Sequence, residues 1–403
     1  MILDGYKNIV FYGSGVSTQA CHAYLLKTHT GKNFYFISDT PENSAQDQLA
    51  QLKLKVTETA MVVSPGVPLS QVCRVQNMVD QWFGELDLAL QYLISLKPHV
   101  KIVAVTGSAG KTTAVLMLRH LLEAQGISAR AGGNLGESFF NLLAEDFEVA
   151  IAEVSSYQLE HLRASTFDVS CLVSLFPNHI QRHETYLNYA KAKLHCFENL
   201  KRGGVGVIDI DHEFFSLFQD KAESRGIKPY LVSRKEKADV SIDESALSVR
   251  WSGRTFRFSV EQFAFFDRFA YLIPIIKSLG LSVDEAYAET RNFRQPDYRL
   301  QVVSKKPLII NDSKSTSIRS LIYAVNRVKT LGAEFVLVVG GRLKTGESLA
   351  ELVESLRYAN HILSIVCFGE SSNKLSEVCR SVKPVVSFDS LVSVRDYLVS
   401  RDV

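Results

Sequence analysis

The chain lacks several features that would assign it to a specialised class of protein. Its six cysteines lie far apart and include no CxxC pair, which argues against a zinc framework and a disulfide scaffold. No apolar run approaches the ~20 residues of a membrane span, and the first residues show no basic segment followed by an apolar one. We therefore expect buried, reduced thiols, no membrane insertion and a cytoplasmic location.

The sequence also lacks an excess of charge of either sign. Its 45 Lys and Arg and 43 Asp and Glu residues are interspersed and leave a net charge of +2, so no basic stripe marks a nucleic-acid partner. With 46% hydrophobic and 22% charged residues, the composition is that of folded globular domains. At ~100–200 residues per domain, the length of 403 residues predicts two to four domains, and we favour three.

The first segment predicts a Rossmann-like βαβ unit. A strand, Asn8–Tyr12, leads into Gly13-Ser14-Gly15-Val16-Ser17 and a helix, and a second strand ends just before Asp39 and Thr40. A glycine-rich first turn and an acidic residue after the second strand are typical of a nucleotide or nucleotide-sugar site. Thr18 stands where the third glycine of the usual pattern would fall, so an ordinary tight turn remains the alternative.

The strongest local signal is the run Gly107-Ser108-Ala109-Gly110-Lys111-Thr112-Thr113. It lies between a buried-type strand, Val100–Val105, and a helix that extends to about Gln125. Glycines let backbone N–H groups turn toward phosphate oxygens, Lys111 adds a mobile positive charge, and a threonine hydroxyl can reach Mg²⁺. The run therefore predicts ATP binding, although Val105 occupies the position of the first glycine in the generic loop.

Three further side chains are candidates for chemistry. Glu153 lies near the end of the strand Val149–Val154, where a carboxylate can hold Mg²⁺, and a carboxylate without a ligand is the alternative. His179 follows the predicted strand Val169–Phe176, and a purely structural histidine is the alternative there. Taken alone, Lys193 is interpreted as a solvated helix lysine.

The last third of the chain alternates strands and helices again. A helical stretch, 263–279, leads to a boundary near residue 297, and the later strands include 335–339 and 362–368. We predict an α/β protein with an N-terminal Rossmann-like domain (1–96), a central P-loop ATPase-like domain with a parallel sheet (97–297) and a C-terminal Rossmann-like domain (298–403).

The motifs taken in order resemble the Mur ligase family of ATP-dependent amide ligases. The series is TGSAGKTT, GGN, EVSSYQLE, PNH, YAKAKLHCFEN, YRLQVV and NDSKST, and it covers nearly the whole chain. Ser64-Pro65-Gly66, 153–160 and 311–316 are most similar to the members that join D-glutamate to UDP-N-acetylmuramoyl-L-alanine in peptidoglycan precursor synthesis. The resemblance implies an acyl-phosphate intermediate and, we expect, a monomer. A sister ligase for another amino acid, including a folylpolyglutamate type, is an alternative.

The resemblance also implies site residues. The UDP substrate would contact Gly13, Ser14, Gly15, Val16, Ser17, Asp39, Thr40, Gly66 and Asn134. ATP would contact residues 107–113 together with Arg299 and Asp312. Two Mg²⁺ ions, with Mn²⁺ as a substitute, would be held by Thr112, Glu153, His179 and Lys193, the last as a CO₂-derived carbamate. D-Glutamate and the reacting carboxylate would meet Lys314, Thr316 and Lys344, and Lys111, His179, Lys193 and Lys344 would be catalytic.

The chain departs from the family pattern in four places. Asn178 replaces an aspartate, Pro41 replaces an arginine, and no Asn-x-x-Asn occurs between 261 and 279. The sequence also stops at Val403, before the last strand and loop of the family, so we expect a shortened third domain. The missing C-terminal strand and Asn178 favour a non-catalytic nucleotide-sugar-binding relative as a further alternative, whereas the retained Lys111, Glu153, His179 and Lys193 favour a ligase.

Overall fold

Strands and helices alternate along the part of the chain that the structure, a computed structural model, describes: residues 2–164, 166–343 and 348–400. They form three sheets with parallel pairing and one short antiparallel ribbon. The predicted α/β class is therefore confirmed. Within these ranges no helix is long and apolar enough to cross a membrane.

The first sheet has four parallel strands in the order β2-β1-β3-β4. Each of its buried strands is a short apolar run, which favours burial on both faces between helices. Its elements are β1 Asn8–Tyr12, α1 Val16–Thr28, β2 Asn33–Ile37, α2 Ala45–Gln51, β3 Thr59–Val63, α3 Leu69–Val75, β4 Gln81–Gly84 and α4 Glu85–Leu96.

The second sheet has nine strands, of which seven pair in parallel in the order β11-β10-β9-β8-β5-β7-β6. Because the strands are parallel, the carboxyl ends of β5, β7 and β8 meet at one edge, where such sheets bind ligands. Its elements are β5 Lys101–Thr106, α5 Lys111–Ala124, β6 Ala129–Gly133, α6 Phe139–Leu142, β7 Val149–Glu153, α7 Ser156–Glu160, β8 Phe167–Leu172, α8 Ile180–His183, α9 Tyr186–Glu198, β9 Leu200–Asp209, α10 Phe215–Ser224, β10 Tyr230–Ser233 and β11 Val240–Asp243.

The strand predicted to reach Phe176 ends earlier, at Leu172. Val173 still donates its N–H to Thr106 O over 3.0 Å. The Ser174 hydroxyl and carbonyl, however, already bond the phosphate loop, residues 107–110. The apolar run continues past the strand because it packs beneath that loop, so hydrophobicity alone overestimated the strand's length.

The remaining elements follow in sequence. They are β12 Ser248–Trp251, β13 Arg254–Arg257, α11 Phe266–Ser278, α12 Val283–Glu289, β14 Gln301–Lys305, β15 Leu308–Asn311, α13 Ile318–Lys329, β16 Phe335–Gly340, α14 Leu349–Arg357, β17 Ile362–Phe368, α15 Ser372–Cys379, β18 Val385–Phe388 and α16 Leu391–Val399. Strands β14 and β15 form the antiparallel ribbon, and β16, β17 and β18 form the third, parallel sheet.

The chain divides into two compact units. The first comprises the residues up to Ile242 with 250–254 and 268–293, and the second comprises 243–249, 255–267 and the residues from Arg294 onward. One continuous apolar core, including Ile9, Tyr92 and Ile102, joins the first two sheets inside the first unit. Five of the six cysteines are buried as predicted, and Cys73 is exposed.

Candidate active site

The phosphate loop, residues 107–110, connects β5 to α5 and is hydrogen-bonded to the segment after β8. Ser108 N donates to Ser174 O over 3.0 Å, and Ala109 N donates to Ser174 Oγ over 2.9 Å. Ser108 Oγ in turn donates to Phe176 O over 2.8 Å. Helix α5 begins at Lys111 without a side-chain cap, so its first N–H groups are oriented to bind an anion.

The backbone conformation and the close packing at position 110 favour glycine. The φ of Gly110 is +79°, and a Cβ there would lie 2.6 Å from the Arg268 guanidinium carbon. Arg268 is 1% exposed and donates from Nη1 to Val173 O over 3.2 Å. Arg268 therefore places a buried positive charge against the phosphate loop and joins that loop to the end of β8.

Glu153, at the end of β7, lies beside the first turn of α5. Thr112 Oγ1 donates to Glu153 Oε2 over 2.8 Å, and Asn134 Nδ2 donates to Glu153 Oε1 over 2.9 Å. Glu153 is 2% exposed, and both of these donors are neutral groups. The structure thus brings together Thr112, Glu153 and Asn134, although the resemblance assigned Asn134 to the UDP substrate.

Lys193 is 1% exposed, so its interpretation as a solvated lysine is wrong. Its Nζ donates to Gly107 O over 2.9 Å and to Thr106 Oγ1 over 3.2 Å, and Lys111 Nζ donates to the same Gly107 O over 2.9 Å. Burial, followed by repulsion from Lys111, holds the pKa of Lys193 well below its usual range. This burial could not be predicted from the sequence, because α9 contains both polar and apolar residues and its pattern does not show that Lys193 faces inward.

His179 lies in the loop before α8, exposed and with a positive φ of 52°. Its Nδ1 is 3.3 Å from Tyr157 Oη, and its backbone N–H donates to Asn178 Oδ1 over 2.9 Å. Asn178 therefore uses its side-chain oxygen to fix the local backbone. In the described ranges no group of three or more His, Cys, Asp or Glu side chains forms a metal cluster.

The predicted UDP residues of the first sheet lie around the carboxyl ends of β1 and β2. Gly13 has a φ of +89°, and a Cβ there would lie 2.9 Å from Ser64 Cβ. Gly15 precedes α1, which has no side-chain cap, and the first helical residue, Val16, is 76% exposed. Ser14 and Ser17 belong to the same turn and first helical residues, and Ser14 O accepts a hydrogen bond from Gln19 Nε2 over 3.1 Å.

Asp39 and Thr40 make contacts within the same sheet's loops. Tyr12 Oη donates to Asp39 Oδ2 over 2.5 Å, and Ala45 N donates to Asp39 Oδ1 over 2.8 Å. These bonds, with that from Tyr12 the larger cause, lower the pKa of Asp39. Thr40 Oγ1 bonds the backbone of Asn43.

The second unit brings Asp312 close to the segment around Arg299. Leu300 N donates to Asp312 Oδ1 over 2.9 Å, and Lys314 N donates to Tyr298 O over 3.0 Å. Burial raises the pKa of Asp312, although Ser315, the Leu300 N–H and Arg299 partly offset that effect. Lys314 and Thr316 are exposed, and Lys344 lies outside the described residues.

Sequence reasoning missed two contributors to the phosphate loop, Arg268 and Ser174. A charged pair, Asp267-Arg268, inside an otherwise apolar helix was the signal for the arginine, because a buried charge needs a specific partner. Ser174 carried no comparable signal, because a single serine after an apolar run has many structural uses.

Comparison with known proteins identifies related chains. Residues 105–272 match the Mur ligase middle domain. A UDP-N-acetylmuramoylalanine–D-glutamate ligase of Protochlamydia amoebophila is 26% identical over 403 residues, which cover 94% of this chain and 86% of that protein. The ligase of the same description from Pelobacter propionicus is 30% identical over 333 residues, which cover 79% of this chain and 71% of that protein.

A solved structure shares the fold at lower sequence identity. The MurF ligase of Thermotoga maritima in complex with ADP superposes with a TM-score of 0.62 and 15% identity, and the match covers 99% of this chain and 89% of that one. The fold resemblance therefore extends along both compact units.

Proposed function

Because the chain belongs to the Mur ligase family, we propose that it joins D-glutamate to UDP-N-acetylmuramoyl-L-alanine with cleavage of ATP to ADP and phosphate. The L-alanyl carboxylate attacks the γ-phosphate, which gives an acyl phosphate and ADP. The amine of D-glutamate then displaces phosphate and forms the amide bond. We propose the three domains 1–96, 97–297 and 298–403 as the carriers of the UDP, ATP and amino-acid functions, and the cytoplasmic location and monomeric state stay predictions.

The observation that carries this proposal is the convergence of Lys111, Thr112, Glu153 and Lys193 at one edge of the second sheet. The uncapped N–H groups of α5 and the Lys111 amine bind and orient the ATP phosphates, because transferring a phosphoryl group depends mainly on positioning and charge. We also propose Arg299 and Asp312 as residues that bind ATP. No covalent bond between a substrate and a protein side chain is needed.

The side chains at this edge fit Mg²⁺. A carboxylate and a hydroxyl joined by a 2.8 Å hydrogen bond, Glu153 and Thr112, supply the oxygen ligands that Mg²⁺ prefers, and it commonly uses one or two carboxylates plus phosphate oxygens. When bound, the ion neutralises charge on the phosphates. We assign His179 and Asn134 to the same neighbourhood, where their nitrogen and amide groups orient the substrate carboxylate or a second ion, Mg²⁺ or Mn²⁺.

We also propose that Lys193 reacts with CO₂ to form a carbamate. In that reaction the neutral amine attacks the carbon of CO₂. The N–C bond forms while one C–O π bond breaks and its electron pair moves to oxygen, and the nitrogen releases one proton to solvent. The lowered pKa of Lys193 supports this, because only the unprotonated amine is nucleophilic. The product carboxylate replaces a buried amine by a further metal ligand.

The two ends of the UDP substrate need separate binding surfaces. We propose the turn 13–17, Asp39, Thr40 and Gly66 for the UDP end. We propose Lys314, Thr316 and Lys344 for D-glutamate and the reacting carboxylate. Asp39 already bonds Tyr12 and Ala45, so its role is to hold the loop that contacts the base as well as to offer a carboxylate edge.

The decisive experiment follows ADP release by the purified chain with Mg²⁺ and bicarbonate. Release should require both UDP-N-acetylmuramoyl-L-alanine and D-glutamate, and Lys111→Ala should abolish it. The exposed Lys191→Ala variant is the matched control and should retain activity. Full activity in Lys111→Ala would refute the assignment of the phosphate loop.

A panel of amino acids separates the proposed ligase from the alternatives. Turnover with L-alanine or L-glutamate in place of D-glutamate would indicate a sister ligase. Tight binding of the UDP-sugar without turnover under any of these conditions would indicate a non-catalytic relative, as the replacement at Asn178 suggests.

A further inference from the structure

Arg182, in the four-residue helix α8, links two loops that belong to different sheets of the first unit. Its Nη1 donates to Gly66 O over 3.0 Å, and its Nη2 donates to Val67 O over 2.9 Å. The same guanidinium binds Glu160 Oε2, with 2.7 Å from Nη2 and 3.2 Å from Nε. Its side chain is 11% exposed, so these bonds are largely shielded from water.

The loop that Arg182 holds on the first sheet is the turn after β3, residues 64–67. Val67 N donates to Ser64 O over 3.0 Å, which closes the turn, and Arg182 binds the carbonyl on the same peptide plane. That plane is therefore fixed from both sides. Ser64 also packs against the glycine-rich turn after β1, since a Cβ on Gly13 would lie 2.9 Å from Ser64 Cβ.

On the second sheet, Arg182 is fixed by α7. Glu160 accepts from Arg182 and also lies 3.0 Å from His183 Nδ1, and His183 Nε2 is 2.9 Å from Ser156 Oγ. Burial raises the pKa of Glu160, but the bonds to His183 and Arg182 outweigh it and leave the pKa lowered. Glu160 thus stays ionised and keeps the guanidinium in one orientation.

The same guanidinium also reaches the environment of His179. It lies over the Tyr157 ring, 4.8 Å from the ring centroid, and Tyr157 Oη is 3.3 Å from His179 Nδ1. A short chain of side chains therefore runs from the Gly66 carbonyl through Arg182 and Tyr157 to His179. No other residue type offers a planar fork able to serve two carbonyls, a carboxylate and an aromatic face together.

We propose that Arg182 is a positioning residue that sets the distance between the turn at Gly66, where the UDP end of the substrate binds, and His179, where its carboxylate reacts. The proposal rests on the proposed function, because it concerns a substrate held at both ends. A long substrate anchored at one end reaches the phosphate loop productively only if the two anchoring loops keep a fixed separation. Misplacement by about 1 Å can reduce a rate by on the order of a hundredfold.

The test compares Arg182→Gln and Arg182→Lys with the wild-type chain, and Arg163→Gln serves as the matched control. Arg163 also reaches the first sheet, where its guanidinium lies 3.8 Å from the Trp82 ring centroid, but it contacts neither the turn nor α8 through that interaction. The measurements are kcat, the KM of each of the three substrates, and calorimetric binding of UDP-N-acetylmuramoyl-L-alanine without ATP.

We expect Arg182→Gln to lower kcat/KM for the UDP substrate by on the order of tenfold to a hundredfold, while the KM of ATP changes less than about twofold. Arg182→Lys should recover only part of the loss, since a point charge cannot serve both carbonyls and Glu160. Arg163→Gln should match the wild type.

Unchanged kinetics for the UDP substrate in Arg182→Gln would overturn the proposal. So would an equal loss for all three substrates that tracks a lowered melting temperature, since that pattern belongs to a general structural role. If the wild-type chain binds the UDP substrate without turnover, the proposed ligase function fails. The calorimetric binding measurement then decides alone. An affinity for UDP-N-acetylmuramoyl-L-alanine that is unchanged by Arg182→Gln overturns the positioning role, and a tenfold loss of that affinity supports it.

Discussion

Thr112 Oγ1 donates a hydrogen bond to Glu153 Oε2 over 2.8 Å. This bond ties the first turn of α5 to the end of β7, so the phosphate loop and the candidate metal ligand keep a fixed separation. Asn134 binds the other carboxylate oxygen from the end of β6. Donors from the first turn of α5 and from the end of β6 therefore converge on Glu153 at the end of β7. We expect loss of the Glu153 charge to disturb this site.

Glu153→Gln preserves the size of the side chain but removes the negative charge. We expect kcat to fall on the order of a hundredfold, and a higher Mg²⁺ concentration to be needed for half-maximal activity, because Mg²⁺ requires anionic oxygen ligands. Steady-state rates over a Mg²⁺ titration measure both effects. Glu148→Gln, at the opposite end of β7, is the control and should keep the wild-type Mg²⁺ dependence. An unaltered titration curve for Glu153→Gln would rule out the metal role.

Arg268→Met should loosen the phosphate loop. It removes the guanidinium that packs on Gly110 and leaves the Val173 carbonyl without this donor, which costs about 1–3 kcal/mol. We expect the KM of ATP to rise by about tenfold, the equivalent of 1.4 kcal/mol, with little change in the KM of D-glutamate. The exposed Arg254→Met variant, which breaks an ion pair with Asp284, provides the comparison. A wild-type KM of ATP in Arg268→Met would contradict this role.

The buried amine of Lys193 should make the stability of the chain depend on alkaline pH. Its pKa is well below 10.5 in the folded chain and ordinary in the unfolded one, so between the folded-state pKa and 10.5 the unfolded state binds more protons. The free energy of unfolding should therefore rise with pH, by at most about 1.4 kcal/mol per pH unit. Urea denaturation between about pH 8 and 10 in CO₂-free buffer measures the slope.

Lys193→Met should flatten that slope, and Lys191→Met should leave it as in the wild type. Equal slopes in Lys193→Met and the wild type would show that another group causes the dependence. Adding bicarbonate labelled with ¹³C should give a carbamate carbon signal in the wild type that is missing from Lys193→Met.

His161 should make the chain sensitive to mild acid. It is 1% exposed between the first two sheets, and burial lowers its pKa to about 4 from 6.5. Between these values the unfolded chain binds more protons, so the stability is present above pH 6.5 and is lost as the pH falls toward 4. The loss is at most about 3 kcal/mol.

Chemical denaturation across this range should show a weaker acid dependence for His161→Met than for the wild type. The exposed His99→Met variant should behave like the wild type. If all three proteins lose stability in parallel, His161 does not contribute.

The positions of the strands and of the phosphate loop could be predicted from local patterns. Apolar runs such as Asn8–Tyr12 and 362–368 became strands with those bounds. Short apolar segments that alternate with helices along the chain are typical of parallel strands covered by helices on both faces. The loop before Lys111 was predictable because glycines and a following helix create an anion site wherever they occur. The identity of the family followed from the order of the motifs.

Contacts between distant segments could not be predicted. Taken alone, Lys193 looked like any helix lysine, and the charged pair 267–268 in an apolar helix did not show which loop Arg268 contacts. Arg182 lies 116 residues from Gly66 in sequence. Such contacts depend on which loops the sheets bring to one edge, and local hydrophobicity carries no information about that.

The sequence by itself therefore determined the α/β alternation, the phosphate loop and the membership of the ligase family, since each depends on neighbouring residues or on motif order. Only the tertiary structure decided that Lys193 is buried beside Lys111, that Arg268 supports Gly110 and that Arg182 joins the turn at Gly66 to α7. The physical reason is that pKa values, desolvation and hydrogen-bond geometry depend on the atoms that surround a group in space.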